Sequence, residues 1–353
     1  MNDVKEIALE PEQTIGTPAV PAAKARNWKT PSGVLAILII LAVLPIPLNG
    51  SYYMHILILA FIYCVISSAF RCISISGQFN IAQGAYMGIG AYIAGMCSVW
   101  LHFPPIADII VGSIAATLVG VILAYPFARL RTVYYAMGTL FLGYVVINIF
   151  TAGGKVTGSA TGLAGIHPIF HSRVTYYYVI LALMIVSLAC MYRFEFSRIG
   201  VTLKAVAQSH LVASSVGIGE IRSRMLAVAF GSFFTGLMGA VYAHYQMVAS
   251  PSSFGLSSTL WIIMYVLVGG LNSFWGPSVG VVILLIIPEF FRNLKGYLPF
   301  FTAAILLIIA FTMPDGVVGL VKLARDKIVQ LVRGKQPVQG QESIQGQEVS
   351  RDA

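Results

Sequence analysis

The chain has 353 residues, of which 58% are hydrophobic and 10% charged, and its formal net charge is +9. That balance excludes a soluble globular domain, in which about a quarter of residues carry charge. The apolar residues fall in blocks near the ~20 residues that cross a bilayer, so the positive charge predicts basic cytoplasmic loops rather than a nucleic-acid surface.

Residues 1–31 carry Pro11, Pro18 and Pro21 among alanines and charges, which predicts a disordered cytoplasmic tail. Lys24, Arg26 and Lys29 precede the first apolar block as in a signal peptide. The block runs into Pro45-Ile-Pro-Leu-Asn-Gly-Ser51 without a small-x-small cleavage site, so an uncleaved span is expected. Hydropathy then places spans at Gly33–Leu48, Tyr52–Phe70, Gly77–Trp100, Ile106–Phe127, Val133–Phe150, Val174–Tyr192, Met225–Val248, Leu256–Leu271, Pro277–Phe291 and Leu298–Met313. The fold class is an all-α polytopic membrane protein with about ten transmembrane helices in a permease domain over 32–320. A basic, Gln-rich tail follows at 321–353. With both ends inside, every Lys and Arg except Lys155, Arg173, Arg292 and Lys295 is cytoplasmic. If the third block did not cross, most would lie outside, against the positive-inside rule.

That third block is unusual. Gln78, Asn80 and Gln83 lead into the small-xxx-small pairs Gly84/Gly88, Gly90/Ala94 and Ala91/Gly95, which let helices approach closely. The amides serve either as hydrogen bonds between helices or as part of a translocation path or gate. A phosphate cradle is excluded, because the glycines begin a membrane span rather than follow a strand. The external loop Thr151–Arg173 is rich in Gly, Ser and Thr. It holds His167 and His171, but Pro168 between them argues against a helix presenting both to zinc.

Arg193–Arg224 is the longest polar interruption. Ser197 is placed to cap a helix whose stripe is Ile199, Leu203, Val206 and Ala213, with Gly217 and Gly219 ending it. A short amphipathic helix with a basic rim suits docking into a groove on a soluble partner, or lying on headgroups as a connector. Farther on, Gly269–Gly280 echoes the Gly77 region and suggests a parallel repeat of the two halves.

Cys64, Cys72, Cys97 and Cys190 form no CxxC pair and read as small hydrophobes. Asp108 and Glu289, the latter three residues before Arg292, are expected at the interface rather than in ion coupling. No catalytic constellation and no metal set is present, so the chain is not read as an enzyme. Gly154-Lys155 is followed by Val156 and lacks the earlier glycine of a phosphate loop. A transporter with neither coupling charges nor an ATPase draws its energy from another subunit, which favours the docking reading of the loop. A stand-alone carrier or channel is the alternative.

The resemblance is carried by Ser76-Gly77-Gln78 with Gln83-Gly84-Ala85 and Gly88-Ile89-Gly90-Ala91-Tyr92, then Thr161-Gly162-Leu163 with Gly165-Ile166. Further pieces are Ser197-Arg198-Ile199-Gly200 with Leu203 and Ala205, Gly217-Ile218, Gly269-Gly270-Leu271, Gly276-Pro277, Gly280 and Pro288-Glu289. In that order and spacing, from about Tyr52 to Pro314, the chain resembles the LivM-type permease subunits of branched-chain amino acid ABC importers. The resemblance implies a second permease subunit, two cytoplasmic ATPases and an external periplasmic solute-binding protein. ATP is then used by the partners and no cofactor is bound by this chain, which spans the inner membrane with both ends in the cytoplasm. It also implies that Arg198, Gly200, Leu203, Ala205, His210, Ala213 and Gly217 form the coupling region. His210 and Val212 depart from the family's Glu and Ala there, and Ala82 from its frequent Gly. The solute class spans branched-chain amino acids, urea, amides and aromatic acids.

Overall fold

The computed structural model describes residues 52–130 and 132–286, with a few isolated positions outside them. Compactness divides the chain after Leu44, and the architecture below belongs to the unit Pro45–Ala353. The helices are α1 Tyr52–Ser74, α2 Gln83–Met96 with a π-helical turn to Leu101, α3 Pro105–Phe127, α4 Thr132–Ala152, α5 Arg173–Glu195, α6 Arg198–Gln208, α7 His210–Ser215, α8 Glu220–Gln246, α9 Leu256–Gly269 and α10 Gly276–Val281 with a π-helical turn to Ile286. Among the described residues, seven stretches are long and apolar enough to cross a bilayer, and Gly276–Ile286 is a shorter apolar helix. The chain is a multi-pass helical membrane protein. The expected spans Gly33–Leu48 and Leu298–Met313, both tails, Glu289 and Arg292 lie outside the described residues. A two-residue antiparallel pair, β1 Leu163–Ala164 with β2 Val248–Ala249, joins two loops on one side.

Helix α3 shows how the chain packs. Ile106, Ile110, Ile114, Leu118 and Ile122 recur every fourth residue and are exposed, while Asp108, Gly112, Ala116, Gly120 and Ala124 recur with the same period and are buried. Lipid is as apolar as leucine, so large side chains gain nothing by turning inward, and close van der Waals packing of small ones holds the helices. The buried stripe meets α2 and α8. A Cβ on Gly112 would stand 2.6 Å from the carbonyl oxygen of Gly90, and one on Gly236 would overlap the methyl of Ala116. Helix α1 is the most enclosed span, followed by α2 and then α8.

The same sequence of events occurs twice. Helix α1 ends, Gly77 takes φ 80°, the chain runs irregularly, and α2 begins at Gln83; α8 ends, Met247 takes φ 57°, the chain runs irregularly, and α9 begins at Leu256. The end of α1 meets the end of α5 and Leu271, whereas the end of α8 lies beside the β pair on the opposite face. Helices α1 and α8 therefore run in opposite senses. The expected parallel echo concerns other stretches: the Gly77 and Gly269 regions lie on one face, where Arg71 bonds the Leu271 carbonyl. The third expected span also starts late, because Gly77–Ala82 is not helical.

Gly236→Leu forces apart α3 and α8, and overpacking of this kind costs about 1–3 kcal/mol. Thermal unfolding in detergent should show that loss, while Leu118→Ala, 58% exposed on the outer stripe, should stay within about 0.5 kcal/mol of the parent.

Candidate functional site

Two half-helices meet inside the bundle. Gln83, the first residue of α2, donates from Nε2 to the carbonyl of Ile66 at 3.3 Å. Ile66 lies two turns before the end of α1, about 12 Å along the axis at 1.5 Å per residue. The same amide bonds Thr235 Oγ1 near the middle of α8. Gly84 N–H donates to Thr259 Oγ1 in the first turn of α9 at 3.0 Å, and a Cβ on Gly84 would stand 2.5 Å from the carbonyl oxygen of Phe254. Gly88 is roofed by Phe254, whose Cβ would be 3.0 Å away, and by the Phe150 ring at 3.3 Å. Both helix N-termini, with their unsatisfied N–H groups and positive dipole ends, thus point to one place deep in the protein.

The irregular segment before α2 is satisfied from α4. Asn80 Nδ2 donates to Tyr135 Oη at 2.9 Å, Asn80 Oδ1 accepts from Ala82 N at 2.8 Å, and Ile81 N donates to Thr139 Oγ1 at 3.0 Å. Non-helical backbone at this depth survives only with such partners. Gln78 is buried, and among the described residues both of its amide atoms lack a hydrogen-bond partner, as does Gln83 Oε1. The structure therefore brings Gln83, Gly84 and Gly88 together at the meeting point, with Asn80 and Gln78 on the segment that leads to it.

On the face that carries α6 and α7, Arg71 of α1 grips Glu195 of α5 with two guanidinium nitrogens, and its Nε donates to the carbonyl of Leu271 at 2.8 Å. Lys204 of α6 reaches the same carboxylate at 3.0 Å. Arg71 and Glu195 are both buried. This node ties α1, α5, α6 and the turn after α9. Sequence reasoning missed it: Glu195 and Arg71 stand at the ends of distant spans, and only their opposite charge on the same expected side hinted at pairing.

The predicted coupling residues divide. Ser197 Oγ accepts from Gly200 N at 3.4 Å and caps α6 as expected. Gly200 must be glycine, because a Cβ there would run into the Glu195 carbonyl. Leu203, Val206 and Ala213 are buried against the bundle, Ala205 is half-buried, and Arg198 is exposed. Gly217 takes φ 80° in a Schellman turn, with Gly217 N bonded to Ser214 O and Ile218 N to Ala213 O. The single expected helix is two, because Ser209 leaves the helical region and its Oγ caps α7 by accepting from Val212 N at 3.4 Å. His210 opens α7; its side chain lies outside the described residues. The break changes which face is free. Ile199 alone of the expected stripe is well exposed, and the outward apolar surface is Val201 at 64%, Leu211 at 70%, Val212 at 65% and Val216 at 71%. Finally, Gly77 rests on α6: its Cβ would lie 3.2 Å from the Ala207 Cα. Helix α6 thus touches the start of the segment leading to Gln83.

Asp108 stands in the first turn of α3, near the span end as expected, and is fully buried there, 3.7 Å from His244 of α8.

A family profile described as branched-chain amino acid transport system / permease component matches residues 52–313. The chain is similar to the high-affinity branched-chain amino acid transport system permease protein LivM of Salmonella typhimurium, with 21% identity over 328 residues, and to that of Escherichia coli K12, with 20% over 327. Each alignment covers 84% of this chain and 77% of the relative. No solved structure gives a significant match.

Removing one partner of a buried ion pair costs about 3–5 kcal/mol, and replacing both by apolar residues costs far less. Glu195→Gln should therefore lower unfolding stability in detergent steeply, and Arg71→Met with Glu195→Met should recover most of the loss in a double-mutant cycle.

Proposed function

The chain belongs to the family of branched-chain amino acid transport permease components, and on that premise we propose that it is the membrane-spanning subunit of an ABC importer. Its energy comes from two cytoplasmic ATPases, its solute from an external binding protein, and its pathway is completed by a second permease subunit. The solute is a branched-chain amino acid or a related small polar molecule such as urea, an amide or an aromatic acid. The face bearing α6 and α7 is cytoplasmic in an inner membrane, with the β pair outside.

One observation carries the reading: α6 and α7 offer a free apolar face outward, yet are held inward by Lys204 on Glu195 and by Ala207 against Gly77. A partner pushing on Val201, Leu211, Val212 and Val216 moves α6 as a lever. That lever bears on the hinge of the irregular segment, and so on Gln83 and the half-helix contact. The path then runs by Gln78, Asn80, Gln83, Gly84 and Gly88. Opening separates Gly84 from Gly255 and lifts Phe254 off Gly88, exposing two helix N-termini suited to the carboxylate end of an amino acid. Arg198 stands exposed at the rim of the docking face, Gly217 shapes its end, and Gly200, Leu203, Ala205 and Ala213 fix the lever to the bundle.

Leu211→Asp and Val212→Asp place a charge on the proposed docking face without touching the bundle. Assembly with the ATPases, read by co-purification, should weaken at least about tenfold, as loss of an apolar anchor does. Solute-stimulated ATP hydrolysis should fall with it, while the melting temperature of the membrane subunits stays unchanged. Normal ATPase binding and uptake in both variants would remove the coupling reading. Solute uptake by the permease alone in liposomes would favour the carrier instead.

A further inference from the structure

A second polar cluster lies on the face of the β pair, away from both sites above. His244 of α8 and Asp108 of α3 are fully buried, with His244 Nε2 3.7 Å from Asp108 Oδ2. Among the described residues neither Asp108 carboxylate oxygen has a hydrogen-bond partner. The other ring nitrogen, His244 Nδ1, is 2.8 Å from the backbone carbonyl of His167 in the external loop. A carbonyl oxygen only accepts, so Nδ1 carries a hydrogen. A neutral imidazole then has a bare lone pair on Nε2, facing a carboxylate that also only accepts. Two buried acceptors face each other unless one more proton lies between them, on Nε2 or on the carboxyl.

The His167 ring is the other ionisable group whose charge acts on both Asp108 and His244. From α2 come Cys97 and Ser98, whose Oγ accepts from His167 N at 3.2 Å and lies 3.3 Å from its Nδ1. The turn after α2 brings His102, bound to the carbonyl of Ser98 at 3.2 Å and ring-to-edge with His167. Tyr176 of α5 donates to the carbonyl of His244 at 3.1 Å. Among the described residues no lysine or arginine pairs with Asp108.

We propose that Asp108 and His244 form a proton-binding site, and that the single proton they share ties the external loop at His167 to helices α3 and α8. The inference is independent of the transport reading, since neither an ATPase nor a solute enters it. Its sign follows from counting protons. When the loop is released and both groups meet water, they take ordinary values, about 3.9 for the carboxyl and 6.5 for the imidazole. Between about pH 5 and 6 the released pair also holds one proton, and the tie is insensitive to pH. Above about 7 the released pair holds none while the tied pair keeps its own, so the tie weakens as pH rises, by up to tenfold per unit. Asp108→Asn replaces the shared proton by a permanent amide N–H able to donate to Nε2, and removes that slope.

Hydrogen exchange of the amides of residues 163–169, in permease reconstituted in nanodiscs, tests the idea. The ratio of protection in the parent to that in Asp108→Asn at each pH cancels the intrinsic exchange rate. It should fall at least about tenfold between pH 7 and 9. A ratio constant over that range overturns the proposal. Should Asp108→Asn not fold, His244→Gln gives a second reading. Its amide donates to the His167 carbonyl and turns its own oxygen to Asp108, which must then be protonated and show a carboxylic-acid carbonyl stretch at pH 8. An ionised Asp108 in that variant equally overturns it.

Discussion

The constraint on which the rest depends is the burial of one carboxylate between two cations. Glu195 sits where α5 leaves the membrane, and desolvating it is tolerable only because Arg71 binds it through two nitrogens and Lys204 through one. Because Arg71 also holds the Leu271 carbonyl, the node fixes the end of α1 against α5, against the turn after α9, and against α6. An amphipathic helix lying on a membrane protein without such an anchor slides. Here Lys204 ties α6 to the buried carboxylate.

The packing is inside-out, with small residues between the helices. Small residues bring α2, α3 and α8 so close that Gly90, Gly112 and Gly236 touch through backbone, which makes these helices a rigid body. The two half-helices are different. They meet through Gly84, Phe254 and Gly255 at the ends of irregular segments, where a change of a few dihedrals separates them without breaking a helix. Gly77, at the start of the segment that leads to this contact, is the residue on which α6 rests.

The sequence made the class and most of the span positions legible, because membrane spans are long and charge asymmetry orients them. It also made the caps at Ser197 and Gly217 legible, since serine and glycine at those offsets have one local use. It misled where tertiary context decides. The stripe Leu203, Val206 and Ala213 is apolar because it packs on the bundle, so the apolar face left free is its opposite side, and Ser209 breaks the helix that would have joined them. Asp108 does stand near a span end, as its place along the chain implies, but depth along one helix does not reveal what covers it. No local pattern tells that the helix of Gln83 begins level with Ile66, two turns before the end of α1.

The most direct test places a reporter at the half-helix contact. Gln83, fully buried in this state, is replaced by cysteine in a chain whose four native cysteines are alanine, assembled with its ATPases and solute-binding protein in liposomes. If force on α6 opens the contact between α2 and α9, a polar thiol reagent should modify Cys only while ATP and solute are both present, and modification should then block uptake. Undiminished uptake with Cys never modified during turnover would contradict the account.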